Sequence, residues 1–131
     1  MASTPVPLDD LVPALEGASF AYVFGSAVTD RLGPESDVDL AVRYPKPLSC
    51  DERLRLVRRL SAIAGRDVDL VDLATSDPGI SMQVLRTGRP LVVSDRPAFE
   101  TFRMTTPSRY FDWKTSRRPV EERMWAEAGA R

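Results

Sequence analysis

The sequence contains no histidine and a single cysteine, Cys50, in 131 residues. Without histidine there is no Ser-His-Asp triad, no imidazole general base and no His-based zinc site. One cysteine excludes an internal disulfide and fits a reducing cytoplasm. Cys50 itself reads as an ordinary helix-start or surface thiol. Long hydrophobic runs are missing too, so no transmembrane span is expected. The opening Met1-Ala2-Ser3-Thr4-Pro5 lacks a basic segment followed by an apolar core, so no secretory leader is expected either. Nor is there an excess of one charge. Eighteen Lys/Arg balance nineteen Asp/Glu for a net charge of −1, which gives no overall basic footprint for nucleic acid. Any catalysis must run on carboxylates, a metal, Lys/Arg and hydroxyls.

What is present centres on one stretch. Tyr22-Val23-Phe24-Gly25-Ser26 reads as an apolar strand ending in a Gly-Ser turn. Ten residues later comes Asp37-Val38-Asp39-Leu40-Ala41-Val42, a strand with two carboxylates. Residues i and i+2 of a strand share a face, so Asp37 and Asp39 project together while Val38, Leu40 and Val42 turn inward. Neighbouring carboxylates repel unless a cation lies between them, and hard oxygen donors suit Mg²⁺ shared with substrate phosphates. Gly25, lacking a Cβ, lets a phosphate approach the backbone, and the Ser26 hydroxyl and nearby N–H groups can donate to it. Phosphates on one side and metal on the other is the arrangement nucleotidyl transfer needs. A lone Gly-Ser or a lone Asp-x-Asp is common by chance; their combination on two strands is far more specific.

Along the chain, residues 1–7 read as a loose lead-in. Leu8, Leu11, Val12 and Leu15 recur at helical spacing, ended by Gly17. A strand over 19–24 follows, then a loop with a Gly33-Pro34 turn signal and a second strand over 37–42. Ser49 and Glu52 form a capping box for a helix to about Ala64, with Leu54, Val57, Leu60 and Ile63 on one stripe and Gly65 at its end. Residues 67–73 read as a third strand. Asp77-Pro78 opens another helix, ended by Gly88, and Leu91-Val92-Val93 is a short edge strand. Residues 96–131 have helical tendency, interrupted by Pro107 and Pro119, and include six aromatics, at least half of which are expected to close the core. The tail from Ala98 holds seven Lys/Arg against five Asp/Glu, a solvated helical face. The order predicts an α/β (α+β) domain spanning 1–131, with a small mixed sheet and helices mainly on one face.

A two-metal site wants a third acid. If Val38 and Leu40 face the helices, Val68 and Leu70 do the same, which leaves Asp67 and Asp69 on the open face with Asp37 and Asp39. Asp72 has the wrong parity unless the strand is bulged. Mid-strand Asp69 is therefore the candidate, with Asp67 and Asp72 as solvated strand-end charges.

Phe24-Gly25-Ser26 with Ser36-Asp37-Val38-Asp39-Leu40 resembles the signature of the DNA polymerase β-type nucleotidyltransferases. Small size and the later Gly88-Arg89-Pro90-Leu91 and Val93-Ser94-Asp95 resemble its minimal (MNT) branch, including the MntA-type antitoxins paired with HEPN-domain toxins. The resemblance covers most of the chain and implies a polymerase β-like fold. It also implies Asp37, Asp39 and Asp69 as catalytic magnesium ligands, and Gly25 and Ser26 as the phosphate grip. The implied reaction moves AMP from ATP onto a tyrosine of a HEPN RNase toxin, in a cytoplasmic hetero-oligomer with no membrane or direct nucleic-acid partner. The toxin's RNase centre needs a histidine, so this chain is not the toxin. Where MNT proteins often carry Arg-Gly two residues after Gly-Ser, this chain has Thr29-Asp30. The alternatives are a small-molecule, antibiotic-type nucleotidyltransferase, for which about 35 residues after Asp95 leave little room for a second domain, or an antitoxin that neutralises by binding.

Overall fold

Alternation of inward and outward side chains decides the architecture. In the computed structural model the described residues are 7–25 and 37–129, with side chains described through Arg117 and at Arg123. Four strands, β1 (Phe20–Phe24), β2 (Val38–Arg43), β3 (Val68–Asp72) and β4 (Arg89–Val93), form one sheet in the order β3-β2-β1-β4. β1 runs antiparallel to β2 and to β4, whereas β2 and β3 are parallel. A parallel pair needs a crossover, and helix α2 (Cys50–Ala64) supplies it. The predicted mixed sheet is thus present. The edge position of β4 is also as expected, and it tolerates Pro90, which has no N–H to give.

The two faces of the sheet bury different residues. Val38, Leu40, Val42, Val68 and Leu70 join Ala21 and Val23 beneath Leu11, Leu15, Leu60 and Ala64. Those last four come from helix α1 (Leu8–Leu11), a 3-10 turn over Val12–Leu15, and α2. The other face holds Phe20, Tyr22, Phe24 and Ala41 under Val84 and Phe99, which belong to α3 (Pro78–Thr87) and α4 (Arg96–Gly129). Instead of lying mainly on one face, as expected, the helices divide between the two. The first face is closed by α1 and α2, and the second is covered over β1, leaving the start of β2 and β3 open. That is why all five residues of β1 are buried.

Local signals read from the sequence recur in the structure. Glu52 N–H donates to Ser49 Oγ (3.1 Å) and Ser49 N–H to Glu52 Oε1 (2.9 Å), completing the capping box. Gly65 caps α2 in the left-handed region, with φ 70°. Asp77 caps α3 by accepting from Ile80 N–H at 2.8 Å. The apolar stripe of α2 is shifted from its expected course. Leu60 and Ala64 are buried and Leu56, Val57 and Ile63 pack beside them, but Leu54 is half exposed. The Arg53 guanidinium, one residue away, reaches the Leu70 carbonyl on β3.

Two further expectations are corrected. The tail is not interrupted at its prolines: α4 is one helix through Pro107 and Pro119. An interior proline forfeits a backbone hydrogen bond and crowds the carbonyl four residues back, at a cost of about 3 kcal/mol. Packing offsets it around Pro107, where Phe99 and Thr106 are buried and Phe102 lies 5.2 Å from the Phe20 ring. Of the tail aromatics, Phe99 is buried and Phe102, Tyr110 and Trp113 partly so, while Phe111 is exposed. The lead-in before Pro7 and the loop with Gly33-Pro34 lie outside the described residues. Among those described, no helix is long and apolar enough to cross a membrane.

Asp72 is the second correction. It is buried, not solvated. Its parity turns it to the α2 side, where its carboxylate accepts from the backbone N–H of Leu48 and of Ala74, each at 2.9 Å. It ties the segment entering α2 to the turn leaving β3. Asp72→Ala strands two partly buried donors and is expected to cost about 2–4 kcal/mol, against about 1 kcal/mol for Ser49→Ala; urea denaturation of the three proteins measures both.

Candidate active site

The site is built where β1 ends and β2 begins. Because β2 lies between β1 and β3, its first residues have neighbours on both sides. Register pairs Phe24 with Asp39 across the antiparallel ladder and Asp39 with Asp69 across the parallel one. Asp39 and Asp69 thus share a face, opposite Val38, Leu40, Val68 and Leu70. Asp37, two residues before Asp39, precedes β2 on the same parity. Asp67 is set beside it, with its carbonyl accepting from Val38 N–H at 2.9 Å. Asp37, Asp67 and Asp69 are exposed, and Asp39 is half-buried.

Gly25 closes the site from the β1 side. Its φ of +70° lies where side chains are strained. A Cβ at this position would collide with the Asp39 carboxylate. The backbone angle favours glycine here, and a larger residue would also press on the Asp39 carboxylate, which would have to move aside. Sequence reasoning assigned Gly25 to phosphate approach and missed its contact with Asp39. Nothing in the one-dimensional pattern separates the two roles. Ser26 lies outside the described residues.

Electrostatics ties the acids together. Burial lifts the Asp39 carboxyl above its ordinary value, and the negative charges of Asp69 and then Asp37 add to the effect. Among the described residues, no three acidic or thiol side chains come close enough to enclose a metal ion by themselves. The donor set still fits magnesium, which usually takes one or two protein carboxylates and completes its shell with water and substrate phosphate. A cation here would relieve the repulsion that raises Asp39.

The raised value has a sign that can be measured. The folded state holds the Asp39 proton to higher pH than the unfolded chain does. Stability from this group is intact below the ordinary carboxylate value and is lost as pH rises through the raised one. Asp39→Asn is accordingly expected to stabilise the metal-free protein at pH 7 by about 0.5 kcal/mol, a figure kept small because the group is partly solvated. The gain should vanish below about pH 4, where the acid is neutral in both states; urea titrations in EDTA at the two pH values test this.

The chain is 29% identical over 124 residues to the protein adenylyltransferase MntA of Shewanella oneidensis, covering 95% of this chain and 86% of that one. It superposes on a chain from the crystal structure of a toxin–antitoxin pair with AMP-PNP with a TM-score of 0.82, at 25% identity, covering 92% of this chain and 99% of the other. The same fold recurs in the complex of the tri-AMPylated Shewanella oneidensis HEPN toxin with MNT antitoxin. There the TM-score is 0.74 at 24% identity, with 90% and 96% of the two chains covered. Residues 10–97, which include both acid-bearing strands, match the family described as Polymerase beta, Nucleotidyltransferase. The chain belongs to that nucleotidyltransferase family.

Proposed function

We propose that this protein moves AMP from ATP onto a tyrosine hydroxyl of a HEPN-type RNase toxin and so acts as its antitoxin. The observation that carries the reading is the parallel register of Asp39 and Asp69, with Asp37 beside them and Gly25 against the Asp39 carboxylate. This chemistry is found in a chain related over nearly its whole length to a protein adenylyltransferase.

In this reading the whole chain is one nucleotidyltransferase domain. Asp37, Asp39 and Asp69 would hold magnesium together with the substrate phosphates, each ion taking one or two of the carboxylates, and the metal would draw charge from the triphosphate and lower the pKa of the acceptor hydroxyl. The backbone at Gly25 and the Ser26 hydroxyl grip the outer phosphates. Asp69, exposed at the open face, accepts the proton from the acceptor. The freed oxygen attacks the α-phosphorus in line, a new P–O bond forms, the α–β bridge breaks and pyrophosphate leaves. AMP on the toxin adds bulk and negative charge near its RNA-cleaving centre. The reaction is set in the cytoplasm, where ATP and RNA meet.

Co-expression with a HEPN-type toxin should yield toxin carrying AMP by mass spectrometry. Asp37→Ala and Asp39→Ala should each lower the transfer rate by about a hundredfold or more. Wild-type protein that transfers nothing with magnesium and any nucleoside triphosphate would overturn the reading. Gly25→Ala is expected to reduce transfer by about tenfold or more and to cost about 1–2 kcal/mol of stability. An unchanged transfer rate in this variant would show that the space beside Asp39 does not matter.

A further inference from the structure

A second polar concavity lies on the acid-bearing face of the sheet, at the far end of β2. Its volume is about 340 Å³, and it opens between the turn after β3 and the first half of α4. Arg43 enters it from β2. Asp39, Ala41 and Arg43 share parity, so Arg43 stands four residues, or about 13 Å, along the strand from the carboxylate site. From α4 come Thr101, Thr105 and Arg109, at successive four-residue steps that place them on one stripe of the helix. Phe102 and Phe20, with Leu73, Ala74 and Ala98, supply the apolar part of the wall.

The charge in this cavity is one-sided. No Asp or Glu among the described residues lines it. Among the described residues, neither the Arg43 nor the Arg109 side chain makes an ion pair or hydrogen bond. Arginines elsewhere on α4 are engaged: Arg96 and Arg103 both pair with Glu100. Two arginines from different elements therefore line a space with threonine hydroxyls and aromatic rings, and among the described residues no anion accompanies them. Guanidinium suits phosphate, which it binds through paired N–H donors, and a base can lie against an aromatic ring whatever its sequence of ring atoms. The volume suits a ligand of mononucleotide size.

We propose that this cavity is a second, non-catalytic site for a nucleoside monophosphate, with Arg43 and Arg109 on its phosphate and its base against Phe102. This goes beyond the transfer reaction and does not depend on it. Unlike the carboxylate site, it supplies its own positive charge and needs no divalent ion.

That difference gives the test. Equilibrium dialysis of the full chain against labelled AMP in EDTA should show saturable, one-to-one binding. Asp39→Ala should leave that binding intact, and the Arg43→Gln/Arg109→Gln pair should weaken it by about tenfold or more. Arg109→Gln alone, at an exposed helix position, should weaken it about threefold or more and keeps the test open if the double variant fails to fold. Inorganic phosphate at equal concentration should displace little AMP. The proposal is overturned by no AMP binding in EDTA, by binding lost in Asp39→Ala, by binding unchanged in the arginine variants, or by phosphate competing as well as AMP.

Discussion

Two like charges held at one register position of a parallel strand pair form the constraint around which this molecule is arranged. The β2–β3 ladder fixes the backbones of Asp39 and Asp69 side by side. Three layers of structure keep that ladder in place. Val38, Leu40, Val68 and Leu70 are anchored under α2, α2 is fixed by caps at both ends, and Asp72 fastens the segments before and after it. The apolar face thus offsets the electrostatic cost on the other face. A cation beside these acids would relieve part of that cost, which burial of Asp39 and the charges of Asp69 and Asp37 together create.

Much of this was legible in the sequence because it rests on periodicity. Period two assigned Val38 and Leu40 to one face and Asp37 and Asp39 to the other. Carried to β3 it put Asp69 on the face of Asp39 and Asp72 on the opposite one, and the register sets Asp69 across from Asp39. The caps at Ser49, Gly65 and Asp77 were readable for the same reason, since each is a local rule needing only neighbours in sequence.

What stayed hidden depends on partners distant in the chain. Asp72 was identified as out of phase, but its burial requires Leu48, twenty-four residues away, to present a backbone donor. The intact α4 could not be foreseen from Pro107, because its penalty is met by packing against β1 and α3. The division of helices between both faces follows from Phe20, Tyr22 and Phe24, which need cover of their own. Arg43, one residue past the strand expected over 37–42, lines the same cavity as Arg109 because α4 crosses that end of the sheet.

The contact between the Arg53 guanidinium and the Leu70 carbonyl has a bearing on how the protein behaves in a crowded solution. β3 is an outer strand, and an outer strand offers spare carbonyls and N–H groups to any extended chain that drifts past. The guanidinium occupies one of those acceptors, and the carboxylates of Asp67 and Asp69 make the same rim inhospitable to a stray peptide. Like charge along this rim disfavours the pairing of two such outer strands.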